Sequence, residues 1–215
     1  WHMTNPVTGE NFYDRTSAVS TILPGGSNHD QYRSWLDTFA TFNRSLTVSG
    51  VPWKDEEHLV PIILRPFHEH NCRTFWWGKR ASDNPNENAT EAEYIALWHF
   101  TVEYLRDIAG LHNLLYAYSP DARCFLGRES DLTFPDLDTF ETTYNYAYPG
   151  DDYVDVLGLD YYQNAYPYRR GIDDALYKLA GFQSSLDMLV ETSHERSDLK
   201  IPALTETGGQ VWELP

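Results

Sequence analysis

The feature that most constrains the fold is a regular alternation of short apolar runs with longer amphipathic segments. Four runs of five or six mostly apolar residues are typical of buried strands, and they occupy residues 59–64, 114–118, 154–159 and 201–205. Between them, apolar side chains recur every three or four residues, which is the spacing of an amphipathic helix. Buried strands that alternate with helices predict a parallel sheet in an α/β fold.

The helices have recognisable ends. Thr90 and Glu93 form a predicted capping box at the start of a helix that runs to Ile108, and Gly110 follows as its stop signal. The other helices are predicted over residues 30–46, 137–146 and 172–190. Each predicted strand is therefore followed by a helix or by the end of the chain.

The strand count predicts part of a (β/α)8 TIM barrel. A closed barrel of eight strands usually takes about 250 residues. Four complete strands in 215 residues, with Trp1 and His2 as the end of an earlier strand, fit the middle of such a barrel. We therefore expect residues 1–215 to be a single domain truncated at both ends. The competing architecture is an open doubly wound sheet, but no Gly-rich phosphate fingerprint supports its nucleotide-binding form.

Charge and hydropathy exclude several classes of partner. The 16 basic and 32 acidic residues give a net charge of −16, which would repel the phosphates of a nucleic acid. No stretch approaches eighteen consecutive apolar residues, so no membrane insertion is expected. A neutral polysaccharide is indifferent to this charge. The aromatic content of 15% suits a sugar-binding cleft, and it equally suits an aromatic core.

Two glutamates each follow a predicted buried strand. Glu69 comes shortly after the 59–64 run, and Glu206 comes directly after the 201–205 run. In a parallel barrel such residues point into the loop face where catalysis takes place. Other polar candidates follow strands in the same way, namely His2, His68 and the segments 118–121 and 160–162. Two carboxylates from separate strands are what cleavage of a glycosidic bond requires.

These residues lie in segments that resemble the motifs of one enzyme family. Residues 65–69 (Arg-Pro-Phe-His-Glu), with Phe-Trp-Trp-Gly at 75–78, resemble the acid/base motif of glycoside hydrolase family 26, the β-mannanase family. Residues 205–208 (Thr-Glu-Thr-Gly) resemble its nucleophile motif, and residues 1–6 and 159–163 resemble two further signatures. The resemblance extends through essentially the whole chain, in the order found in the family.

The resemblance implies a barrel with the acid/base on strand four and the nucleophile on strand seven, so that this chain runs from about the end of strand 3 through strand 7. Glu69 would then be the acid/base and Glu206 the nucleophile of a retaining double displacement. His68 and Tyr162 match positions that hydrogen-bond the nucleophile. His2 matches a position that lines the subsite next to the cleaved bond.

The remaining predicted substrate-binding residues are Trp76 and Trp77, which would form a platform or wall of the cleft. Tyr161 and Tyr162 point to opposite faces of their strand, so only one can line the site. The chain departs from the family at Cys72, where Gly is usual, and at Thr74, where Trp is usual. The second departure puts the substrate preference in doubt, because the Trp would contact the sugar near the acid/base.

The resemblance leads to an expected function with two alternatives. The first expectation is an endo-acting β-1,4-mannanase on mannan, glucomannan or galactomannan. A β-1,3-1,4-glucanase or β-1,3-xylanase would use the same chemistry. A non-catalytic carbohydrate-binding protein is a different class, and the presence of both glutamates argues against it. Because such polymers are extracellular, a secreted, periplasmic or cell-surface monomer is expected.

Cys72 and Cys124 are the only cysteines in the sequence. They follow neighbouring predicted strands, so a disulfide between them is sterically feasible, but two free thiols are the default expectation. No Cys/His spacing resembles a zinc site, and therefore no catalytic metal or other cofactor is expected.

Overall fold

The computed structural model describes residues 3–49, 58–125, 136–163, 172–196 and 198–209. In chain order its helices are α1 (Val19–Ile22), α2 (His29–Ser45), α3 (Glu91–Glu103), α4 (Leu137–Tyr144) and α5 (Ile172–Glu195). Its strands are β1 (Thr47–Val48), β2 (His58–Leu59), β3 (Ile62–Leu64), β4 (Leu114–Tyr118), β5 (Val156–Gln163) and β6 (Ile201–Gly209). A π-helical turn (Tyr104–Ile108) continues α3, and 3-10 turns span Ala122–Cys124 and Asp151–Tyr153.

Strands β3 to β6 form one parallel sheet in sequential order, as the α/β prediction requires. Each strand pairs with the next one along the chain, and helices or turns make the crossovers. All four strands therefore point the same way, and their carboxyl ends meet at one edge of the sheet. This edge carries both glutamates.

One face of the sheet is covered and the other is partly open. The covered face packs on a core of large buried rings and aliphatic chains, including Trp98, Tyr118 and Tyr144, each with no exposed surface. On the other face Ile63 and Leu115 are direct partners across β3 and β4, yet they are 62% and 37% exposed. Parallel sheets usually bury both faces, so this second face is an unusual apolar surface.

The predicted strand over residues 59–64 is wrong in one respect, because the structure divides it. Its first residue, Leu59, belongs to β2, which pairs antiparallel with β1, and its last three residues form β3 of the main sheet. The division falls at Pro61, which has no backbone N–H to donate. On the two sides of Pro61 the backbone bonds to different parts of the chain. The Val60 N–H donates to Leu46 O, just before β1, and the Ile62 N–H donates to Asn113 O, just before β4.

The other predicted ends of helices and strands agree more closely with the structure. The capping box of α3 is confirmed, since Thr90 Oγ1 accepts from the Glu93 N–H at 3.2 Å while Glu93 Oε2 accepts from the Thr90 N–H at 2.8 Å. Strands β5 and β6 run beyond their predicted ends, because they pair with each other past a register shift at Leu159/Asp160. The short helix α1 has no counterpart in the prediction. Among the described residues no helix combines the length and apolar character needed to cross a membrane.

Candidate active site

The turn after β3 presents Glu69 through an unusual backbone. Phe67 and Glu69 both have positive φ, at 52° and 51°, although neither is glycine. Such residues are uncommon and are concentrated at functional sites, where the surrounding structure holds them in place. The Glu69 N–H donates to Ser119 O at 2.8 Å, which fastens this turn to the end of β4.

A partly buried ion-pair network supports Glu206 on β6. Arg65 donates from Nη2 to Glu206 Oε2 at 2.6 Å and from Nη1 to Asp160 Oδ2 at 2.7 Å. Asp160 is fully buried and also accepts from Ser119 Oγ at 2.7 Å and from Thr205 Oγ1 at 2.8 Å. Because every group in this network has a partner of opposite charge or a hydrogen-bond donor, the guanidinium of Arg65 is held firmly against Glu206.

The second oxygen of Glu206 accepts a short hydrogen bond from the Tyr162 hydroxyl. Partial burial alone would raise the pKa of Glu206, but the bonds from Tyr162 and Arg65 outweigh it, so the pKa lies below its usual value. Glu206 is therefore held ionised, as a nucleophile must be.

Glu69 has the opposite environment. Its side chain is almost completely buried, and the carboxylates of Asp121 and Asp160 lie near it. Burial first, and then these negative charges, raise the pKa of Glu69 to about 8, although the guanidinium of Arg123 acts in the opposite direction. A carboxyl group with this pKa carries its proton at neutral pH and can donate it. Two carboxyl groups whose environments separate their pKa values are the pattern of an acid and a nucleophile.

The other predicted site residues lie at different depths. His68 is buried, its ring packs 4.7 Å from the ring of Phe75 (between centroids), and its proximity helps to lower the pKa of Glu206. Trp76 and Trp77 are 0% and 1% exposed, and their Nε1–H groups donate to Met3 O and His68 O. In this structure neither indole offers a face to a sugar, so the geometry favours support of the wall over stacking. His2 lies outside the described residues.

Several residues of the site had no role assigned from the sequence, although most of them lie in the candidate segments 118–121 and 160–162. Arg65 belongs to the 65–69 motif, but a single arginine directly after a strand gives no sign that it reaches β5 and β6. Ser119, Asp121 and Asp160 belong to segments that follow strands, and their roles depend on pairing. Tyr118, from the same segments, points into the core and donates to the Tyr144 and Tyr146 carbonyls.

The expectation of two free thiols is wrong. Cys72 and Cys124 form a disulfide with a Cα–Cα distance of 5.5 Å, which joins the turn after β3 to the 3-10 turn after β4. The two loops lie side by side because β3 and β4 are direct neighbours. Asp121 lies within 4.8 Å of both sulfurs, but sulfurs that are bonded to each other are not available as thiolate ligands.

The family model described as glycosyl hydrolase family 26 matches residues 1–193. The chain is 36% identical over 208 residues to a mannan endo-1,4-beta-mannosidase of Bifidobacterium adolescentis, covering 96% of this chain and 18% of the relative. It is 35% identical over 144 residues to a mannan endo-1,4-beta-mannosidase of Bacillus subtilis, covering 64% of this chain and 35% of the relative.

Solved structures of family 26 proteins also resemble the fold of this chain. The structure of GH26C from Muricauda sp. superposes with a TM-score of 0.75 at 36% identity, covering 97% of this chain and 48% of that one. The catalytic domain of a Bacillus sp. GH26 endo-beta-1,4-mannanase gives a TM-score of 0.73 at 36% identity, with 96% and 45% coverage. The chain thus spans less than half the length of these proteins, and its parallel sheet is part of their barrel. It belongs to glycosyl hydrolase family 26.

Proposed function

We propose that the protein carrying this chain is an endo-acting β-1,4-mannanase that cleaves mannan, glucomannan or galactomannan with retention of configuration. The observation that supports this most directly is the contrast between Glu69 and Glu206, at the same edge of the sheet. The first is buried with a raised pKa and the second is held ionised by Arg65 and Tyr162. The curated relatives are named for the same substrate.

In the first step Glu206 attacks the anomeric carbon of the sugar before the cleaved bond. A bond forms between a Glu206 carboxylate oxygen and that carbon, while the bond to the glycosidic oxygen breaks. Glu69 gives its proton to the departing oxygen, so the leaving sugar departs as a neutral alcohol. Arg65 and Tyr162 keep Glu206 oriented during the attack.

In the second step Glu69, now ionised, removes a proton from a water molecule. The water oxygen bonds to the anomeric carbon, and the bond to Glu206 breaks, which returns both glutamates to their starting states. A group that must be acid in one step and base in the next works best with a pKa near the working pH. The raised pKa of Glu69, about 8, brings it closer to neutral pH than that of an ordinary carboxyl group and so supports both roles.

The remaining roles are also part of the proposal. His68 and Tyr162 would hold Glu206, His2 would line the neighbouring subsite, and Trp76 and Trp77 would support the wall. The enzyme would act as a monomer without a metal. It would work outside the cytoplasm, in the periplasm, at the cell surface or after secretion, since its substrate is a polymer.

A second candidate uses the same chemistry on another backbone, either β-1,3-1,4-glucan or β-1,3-xylan. Thr74 lies exposed on the loop after Glu69, where the family pattern has a tryptophan. A small polar side chain removes one stacking surface for the sugar on the leaving-group side. This difference at Thr74 is the observation that favours a backbone other than mannan.

Product analysis on three polymers tests the proposal. The full-length protein that carries this sequence is incubated with mannan, barley β-glucan and β-1,3-xylan, and Glu206→Ala serves as the inactive control. Oligosaccharides from mannan alone, lost in the control, are the expected result. Products from another polymer would agree with the two-glutamate mechanism but would overturn mannan as the substrate. Binding without products from any polymer would overturn the enzymatic function.

A further inference from the structure

Arg123 contacts Glu69 and also the ring of Tyr162, the tyrosine that donates to Glu206. Its Nη2 is 3.5 Å from Glu69 Oε1. Its Cζ lies 5.4 Å from the centre of the Tyr162 ring, and the Tyr162 hydroxyl donates to Glu206. One guanidinium therefore contacts the acid/base directly and the nucleophile through a tyrosine.

The position of Arg123 is fixed by Asp121, which is fully buried. Asp121 Oδ2 accepts from Arg123 Nη2 at 2.6 Å and from Nε at 2.9 Å, while Oδ1 accepts from the Arg123 N–H at 2.7 Å. A guanidinium that donates from both Nη2 and Nε to a buried carboxylate has little freedom to turn. Although the Arg123 side chain is 47% exposed, its charged end is thus kept beside Glu69.

Two further links join the chain segments that carry Glu69 and Arg123. Asn71 Nδ2 donates to Asp121 O at 2.8 Å, and the Asp121 N–H donates to Asn71 Oδ1 at 2.8 Å. The Cys72–Cys124 disulfide makes the second link. A reciprocal hydrogen-bond pair and a covalent bond therefore cross-link residues 69–72 to residues 121–124. We call these two segments the acid/base junction.

We propose that Arg123, held by the acid/base junction, is a positioning residue that sets the protonation of Glu69 and orients Tyr162 toward Glu206. The inference rests on the proposed function, because it assigns Arg123 a part in the same two-glutamate reaction. It adds a residue from the loop after β4, whereas the network around Arg65 draws on β5, β6 and the ends of β3 and β4.

The physical basis is the balance of charge around Glu69. The titratable and charged groups that act on it from the neighbouring elements are Asp121, Arg123, Asp160, Tyr162 and Glu206. Arg123 is the cation among them that lowers the pKa of Glu69, while burial, Asp121, Asp160 and Glu206 raise it. Without Arg123 the pKa of Glu69 would rise further above 8, and the group would be a weaker acid in the first step.

The test compares Arg123→Gln, which removes the charge but keeps a donor for Asp121, with Arg123→Lys, which keeps the charge. Arg73→Gln is the matched control, because Arg73 lies on the loop that carries Glu69 and is 48% exposed like Arg123, but it pairs with Glu87 instead of Glu69. The pH dependence of kcat/KM on a manno-oligosaccharide is measured in the full-length protein. We expect the basic limb to move to higher pH in Arg123→Gln, to return toward the wild type in Arg123→Lys, and to stay unchanged in Arg73→Gln.

A second measurement reads Glu69 directly. Protein labelled with ¹³C at the glutamate side-chain carboxyl carbons is titrated by NMR, and Glu69→Gln identifies the Glu69 signal. The Glu69 midpoint should move upward in Arg123→Gln and not in Arg73→Gln, whether or not a polymer substrate is found. Failure of the wild type to hydrolyse any polymer would count against the proposed function alone. An unchanged midpoint in a folded Arg123→Gln variant would overturn the role of Arg123.

Discussion

At the scale of single residues, the site makes two chemically identical side chains behave differently. Glu206 receives a phenol hydroxyl and a guanidinium, which stabilise its charged form. Glu69 is removed from water beside other carboxylates, which favours its neutral form. The difference in pKa arises from neighbours contributed by other strands, so it belongs to the assembled sheet and not to either motif.

Replacing Tyr162 by Phe should shift the acidic limb of the pH–rate profile. The hydrogen bond from Tyr162 lowers the pKa of Glu206, so its loss raises that pKa, and Glu206 then becomes protonated at a higher pH. Activity that depends on ionised Glu206 should therefore fall away at a higher pH than in the wild type. A hydrogen bond to a charged group contributes about 1.5–3 kcal/mol, which corresponds to a loss of about 10- to 150-fold in kcat/KM.

Tyr161→Phe is the matched control for this experiment. The neighbouring ring is buried on the opposite side of β5 against Phe182, and its hydroxyl has no hydrogen-bond partner in the described part of the chain. Its removal should leave both the profile and the rate close to those of the wild type. Equal effects of the two substitutions would contradict the role given to Tyr162.

At the scale of elements, the turn after β3 does most to shape the site. It carries two residues with positive φ and is fastened to the loop after β4 by a backbone bond, the Asn71–Asp121 pair and the disulfide. These links hold a backbone that would otherwise relax. The side chain of Cys72 is itself part of one of these links.

Removing the disulfide should destabilise the fold. The double variant Cys72→Ser/Cys124→Ser opens a loop whose ends are 52 residues apart, and a link of this kind contributes about 2–4 kcal/mol. Urea unfolding of the full-length protein should show a lower midpoint for the variant. Wild type treated with a reductant should behave in the same way, and coincident midpoints under oxidising and reducing conditions would show that the link contributes no stability.

At the scale of the whole molecule, the described sheet leaves an apolar surface open. Ile63, Leu115 and Ile201 lie on the same face of the sheet and are between 37% and 62% exposed, and β3 and β6 are its outer strands. The chain covers less than half of the Muricauda GH26C structure and of the Bacillus sp. catalytic domain, whose additional length includes the rest of the barrel. An open parallel sheet with exposed aliphatic side chains is prone to associate with other chains.

Residues 1–215 produced alone should therefore associate or expose apolar surface. Light scattering coupled to size exclusion should show species larger than a monomer, and the dye ANS should bind more strongly than to the full-length protein. Ile63→Thr should reduce dye binding by the isolated chain, because it removes the most exposed of these three aliphatic side chains. A monomer with a cooperative thermal transition and no dye binding would contradict this prediction.

The amino-acid sequence alone predicts the α/β class, the strand β4 at residues 114–118, the capping box of α3 and the location of Glu69 just past β3. Glu206 follows its predicted run, but it lies within the longer strand β6 of the structure. These predictions follow from local periodicity, from cap chemistry and from motifs within a few residues of each other. The tertiary structure decided the division of the 59–64 strand, the disulfide, and the contacts of Arg65 and Arg123 with carboxylates on other elements. Each of these depends on which loops lie side by side, and that is fixed by strand order and register rather than by local sequence.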